Sequence, residues 1–171
     1  MNNNNAIHKY QLSKRLIIFL FIFYLVVICS GVIITVLTIC KLSDEYTNKQ
    51  LIIYTFISSS SISGALCSVQ YVRRLYKSCI TEQIDENASF IAKLGNVLYF
   101  VLRPIFAAVF SIVIVLGMLS GLFIVTGNLD YIINEKFTYM CVIVSSITGY
   151  SIGRVLDKFE EIINGKFNKI S

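Results

Sequence analysis

The side chains in this sequence that could carry chemistry are few. There is one histidine, His8, and there are five cysteines (Cys29, Cys40, Cys67, Cys79, Cys141) and ten carboxylates. His8 stands in a polar head, MNNNNAIHKYQLSKR, so neither a serine–histidine pair nor a histidine ligand set can be assembled around it. The cysteines never adopt the CxxC spacing of a zinc site. No glycine-rich phosphate loop is present, and no carboxylate pair falls inside an apolar run, where proton relays and ion pathways need one. These residues predict no enzyme, no metal and no cofactor. What remains unexplained is Arg103-Pro104, which holds the only proline and interrupts the apolar stretch NVLYFVLRPIFAAVFSIVIVLGMLSGLFIV at 96–125.

The elements around these residues belong to a membrane protein. Hydrophobic residues make up 56% of the chain and charged residues only 15%, against about 25% charged in soluble domains. Four apolar runs, Leu16–Ile39, Leu51–Val72, Val97–Val125 and Phe137–Leu156, each supply the roughly 20 residues that a spanning helix needs. The first is too long for a signal-peptide core and no small-x-small site follows it, so it is expected to remain as a span. Twelve of the 15 Lys and Arg residues fall in the head, in 73–103 and in the tail. Only Lys41, Lys49 and Lys136 fall in the two alternate loops. The positive-inside rule then predicts both termini and the 73–96 loop in the cytoplasm. The expected fold is all-α and polytopic. It has a cytoplasmic head over 1–15, a membrane domain over 16–156 with spans near 16–39, 51–72, 104–125 and 137–156, and an amphipathic cytoplasmic tail over 157–171, and it forms an oligomeric bundle.

Pro104 sets the start of the third span in this reading. A helix over the whole of 97–125 would measure about 43 Å, more than the roughly 30 Å hydrocarbon core, and proline suits a first helical turn. Arg103 then sits at the cytoplasmic interface with Arg73 and Arg74, its guanidinium among lipid phosphates. It is either a plain anchor or part of an elbow that binds a headgroup or passes movement from the cytoplasmic loop into the bundle.

Small residues recur every four positions in three spans: Ser60, Gly64 and Ser68; Gly117 and Gly121; Ser145, Gly149 and Gly153. In lipid such faces let helix backbones approach closely. They serve packing within one bundle, a seam between copies, or the lining of a pore. Cys40 and Cys141 both fall near the outer face, where a disulfide between them is open. In the tail, Val155, Phe159, Ile162 and Ile163 share a face, and Asn164-Gly165 supplies a helix stop. Arg154, Lys158, Phe159 and Ile162 are therefore candidates for contact with a partner, although the same projection could lie on the interface. The basic residues hug span ends, which excludes a nucleic-acid surface and points to anionic lipid.

SGAL at 63–66, YFVLRP at 99–104 and GYSIGRVLDKFEEI at 149–162 resemble small four-span inner-membrane proteins of bacterial phage-defence systems, the membrane subunit of Kiwa systems among them. The resemblance implies a sensor that oligomerises and engages a soluble cytoplasmic effector. The expected function is accordingly an inner-membrane sensor or anchor. The alternatives are an oligomeric pore-forming effector and, third, a small transporter subunit.

Overall fold

The computed structural model describes residues 13–42, 47–80, 90–126 and 134–167. They form four helices: α1 (Lys14–Lys41), α2 (Asn48–Ile80), α3 (Phe90–Thr126) and α4 (Glu135–Phe167). His8, the loop acids Glu82, Asp85 and Glu86, and the end of the tail lie outside the described residues, as do the side-chain surroundings of Gly153, Phe159 and Ile162. Three helices are long and apolar enough to cross a membrane, over Arg15–Lys41, Asn48–Lys77 and Lys93–Gly121.

The helix starts are encoded locally. At Thr47, whose carbonyl accepts from the amides of Gln50 and Leu51, the backbone N–H donates to Gln50 Oε1 at 3.3 Å, half of a capping box. Asn134 Oδ1 accepts from the Phe137 amide at 2.9 Å, and Glu135 follows in the first turn, where the helix dipole favours negative charge.

α2 is the central helix: it packs along α1, α3 and α4, whereas α1 barely touches α3. The helices alternate in direction. At one end Leu20, Tyr24, Cys67, Tyr71, Leu75, Phe100 and Ile152 form a buried cluster; we call this the α2–α3 end. At the other end Val115, Phe137 and Cys141 cluster, with Leu42 against Leu51 beside them. Elsewhere the outward faces of α1 and α3 are apolar and exposed, as a lipid-facing surface requires.

The structure departs from the sequence reading at the third span. Pro104 lies inside α3, which begins at Phe90, fourteen positions earlier, and runs on through the proline. Arg103 is only 4% exposed and turns into the bundle, whereas the sequence placed it among headgroups. Gly117 and Gly121 are exposed with no atom within 4 Å of an added Cβ, so they take no part in packing within the chain. No disulfide joins Cys40 and Cys141: Cys141 is buried against Val115 and Phe137 while Cys40 is exposed near the end of α1.

Candidate functional site: a buried arginine on a tyrosine platform

Three tyrosine–arginine pairs recur along the helices: Tyr71 and Arg74, Tyr99 and Arg103, Tyr150 and Arg154. Residues three or four apart share a helix face, and helical side chains lean toward the N-terminus. Each arginine therefore folds back over its tyrosine. The Cζ-to-centroid distances are 5.3 Å for Arg74 over Tyr71, 4.2 Å for Arg103 over Tyr99 and 6.0 Å for Arg154 over Tyr150. Arg103 also reaches across to Tyr71 of α2 at 5.7 Å.

Tyr71, fully buried, is the hub. Its ring stacks on Tyr24 of α1 with centroids 6.5 Å apart and meets Tyr99 and Phe100 of α3 edge-on at 6.4 Å and 6.1 Å. Three helices are joined through one ring.

The depth of Arg103 follows from the helix register. Tyr24 Oη donates to the Phe100 carbonyl at 2.8 Å. An added Cβ at Gly31 would meet the Ser61 carbonyl oxygen at 2.6 Å and Ala65 Cβ at 2.9 Å. Ser63 Oγ donates to the Ala107 carbonyl at 2.9 Å. Both chains of contact, Tyr24 to Phe100 and Gly31 through Ser63 to Ala107, set each α1 residue level with the α3 residue 76 positions later. Arg103 is thus level with Val27, twelve positions inside Arg15, or about 18 Å along the axis. On the α4 side, the Ser111–Ser145 bond sets it level with exposed Arg154, so it stands where the basic end begins. An arginine at the bilayer centre costs roughly 2.5–3.5 kcal/mol on insertion scales and less toward the edge, and a desolvated cation–π contact returns about 2 kcal/mol or more. The tyrosine platform offsets part of the desolvation of this guanidinium.

The same cluster absorbs the proline. Pro104 has no N–H, so the Phe100 carbonyl four residues earlier loses its helical donor. In a membrane interior that vacancy must be filled by protein. The Tyr24 hydroxyl fills it, donating to that carbonyl. Gly64 brings α2 alongside, with the Pro104 carbonyl oxygen 3.5 Å from where its Cβ would be.

Above this cluster the interior is held by hydroxyls. Thr55 and Thr138 join α2 to α4 at 2.7 Å, Ser111 donates to Ser145 between α3 and α4 at 2.8 Å, and Thr35 of α1 reaches the Ser58 carbonyl at 3.3 Å. Of the small-residue faces read from the sequence, Gly64, Ser68, Ser145 and Gly149 are buried and Ser60 is half-buried. Ser68 and Ser60 bond their own helix, at the Gly64 and Ile57 carbonyls. The tightest contact is Gly149 on the backbone of Ser63.

The sequence reading missed Gly31, Tyr24, Tyr71 and Ser63. Gly31 was findable as the only glycine in the bulky apolar run of α1. The tyrosines were findable because they lie inside spans, away from the interface belts where tyrosine is usually enriched.

Of the remaining candidates, Arg73, Arg154 and Lys158 are exposed and belong to the α2–α3 end. Exposed Arg15 and Lys77 share that end, with half-buried Arg74 and Lys93. Lys41, Lys49 and Lys136, all exposed, mark the opposite end. No protein-family model, curated protein or solved structure matches this chain.

Proposed function

We propose that this protein is a membrane-embedded sensor or anchor of the bacterial inner membrane that crosses four times, with both termini cytoplasmic, and controls a soluble effector through its α2–α3 end. The observation that carries this reading is the charge asymmetry of the bundle. All four helices run past the aromatic cluster at one end, and most of the described basic residues gather there, against Lys41, Lys49 and Lys136 at the other. A fourth crossing is supported by α4 running beside α2 from the Thr55–Thr138 bond to the Gly149–Ser63 contact, so that the two helices traverse the same layer. The basic end matches an anionic cytoplasmic leaflet. The interior is closed by hydrogen bonds, and no acidic side chain lies in the first three helices, which supports binding over transport or catalysis. An antiviral role rests on the resemblance at 63–66, 99–104 and 149–162.

Photo-crosslinking groups at Tyr76, Ile91 and Lys158, all exposed at this end, should capture one soluble protein in native membranes. The same group at Thr47 or Lys49 should not. Equal capture from both ends refutes the reading, and deletion of 158–171 without effect on capture removes the tail from it.

A second reading, a homo-oligomer sealed through α3, is favoured by the outward position of Gly117 and Gly121. Its extreme form is a pore-forming effector. That form requires dye leakage from loaded vesicles that Gly117→Leu abolishes; absence of leakage from the unmutated protein excludes it.

A further inference from the structure

We propose that Pro104 and the Tyr24 hydroxyl form a latched hinge in α3, on which the segment Phe90–Arg103 swings relative to the rest of the bundle. The inference rests on the chain being a membrane bundle but not on any partner.

Three observations converge on one turn of helix. Proline removes the amide that would close the turn onto the Phe100 carbonyl, and its ring crowds that carbonyl, so the turn is predisposed to bend. The replacement donor belongs to another helix: Tyr24 Oη of α1 holds the Phe100 carbonyl at 2.8 Å. A bond within a helix moves with it, whereas a bond from a neighbour can be made or broken as the helices shift. Arg103, next to the proline, is clasped by Tyr99 of its own helix at 4.2 Å and by Tyr71 of α2 at 5.7 Å, which gives the arm a second handhold on the bundle. Tyr24 and Tyr71 in turn stack on each other, so both handholds answer to the same pair of rings.

The arm is built to respond. Its outward face presents Ile91, Leu94, Leu98 and Leu102, exposed in one stripe that continues through Ile105 and Val109. Ile91, 80% exposed, is level with Arg15 on the register above, at the edge of the apolar layer. A change at that edge, in lipid or in bound protein, acts on the arm, whose inner face packs through Val97, Tyr99, Phe100 and Val101 and whose last turn before the proline is latched by the Tyr24 hydroxyl. A bend of 20° at Pro104 moves position 94, about 15 Å away along the helix, by about 5 Å.

Spin labels at Phe19 and Leu94, both outward-facing and at nearly the same level, read this motion in lipid nanodiscs, with the five cysteines replaced. The unmutated pair should give one narrow distance distribution. Tyr24→Phe, which removes only the hydroxyl, should broaden it and add a component shifted by about 5 Å. Adding Pro104→Ala restores the helical amide and should return the narrow distribution. A Tyr24→Phe distribution identical to the unmutated one overturns the proposal, as does failure of Pro104→Ala to rescue it. Should Tyr24→Phe not insert, Pro104→Ala alone decides: warming from 4 to 37 °C should broaden the unmutated distribution and leave that of Pro104→Ala narrow, and equal broadening overturns the hinge. Release by alkaline carbonate, read separately, would indicate failure of the membrane assignment instead.

Discussion

A single methyl group at Gly149 should separate α2 from α4, whereas the same methyl at Gly117 should do nothing harmful. A Cβ at Gly149 would stand 2.6 Å from Ser63 Cα and 2.8 Å from its carbonyl carbon. Carbon atoms prefer about 3.5–4.0 Å. Every atom met there is backbone, so no side chain can rotate aside, and the helices must part by roughly 1 Å. The Thr55–Thr138 bond, 2.7 Å in the native bundle, would stretch to about 3.7 Å and be lost. Overpacking costs about 1–3 kcal/mol and the lost bond about 0.6 kcal/mol in a membrane. The better helix propensity of alanine offsets up to about 1 kcal/mol. Gly149→Ala should therefore destabilise by roughly 1–3 kcal/mol. Gly117→Ala meets nothing within 4 Å and keeps only the propensity gain, so it should be neutral or stabilising by up to about 1 kcal/mol. Titration of the purified protein from mild micelles into SDS, followed by far-ultraviolet circular dichroism, measures both. Equal losses from the two substitutions would refute the packing argument. Gly31→Ala, crowded by Ser61 and Ala65, should behave like Gly149→Ala.

Ser59 Oγ is buried without a hydrogen-bond partner, so Ser59→Ala should leave stability unchanged or raise it by about 1 kcal/mol in the same titration; a clear loss would mean that the hydroxyl is satisfied. Replacing Thr55 and Thr138 by valine singly and together should give a coupling energy of about 0.6 kcal/mol, and at most about 1.7 kcal/mol; zero coupling would contradict the bond. Arg103→Lys keeps the charge but loses the flat face that stacks on Tyr99 and Tyr71, so it should insert less efficiently than the unmutated chain in a glycosylation-reporter assay, and Tyr99→Leu should do the same. Burial pushes the Cys79 thiol above its usual range. Because a raised thiol pKa lowers the thiolate fraction at any given pH, labelling of Cys79 by an aqueous maleimide should be slower at pH 7 than that of an unstructured cysteine peptide and should level off at a higher pH than the peptide does; a profile coincident with the peptide's would contradict it.

Much of the fold was legible because lipid imposes one strong rule, about 20 apolar residues per crossing, and the long runs obey it. The inward positions of Gly64, Ser68, Ser145 and Gly149 were legible from their four-residue spacing. At Gly117 and Gly121 the same spacing marks a face that looks outward, since period fixes a face of the helix but not whether that face packs within the chain. Pro104 misled for a related reason. Its local preference for a first turn is real, but a hydroxyl 80 residues away in sequence, on Tyr24, supplies the missing donor, and nothing near Pro104 announces it. The sequence puts Arg103 at the interface, as an anchor or as part of an elbow, because charge at a span edge usually lies there. Its tyrosine partner four residues back was visible in YFVLR, and the repeats YVRR and YSIGR should have suggested stacking. The burial of the arginine needed the packing between helices, which no local pattern encodes.

The most direct test of the account is affinity isolation of the protein from its own membrane in mild detergent, weighed intact by native mass spectrometry alongside an Ile91→Glu, Leu94→Glu variant. The account predicts a soluble protein in fixed ratio to this chain, lost in the variant while the chain remains in the membrane. A bare homo-oligomer of this chain, or a soluble protein retained at the same ratio by the variant, would contradict it.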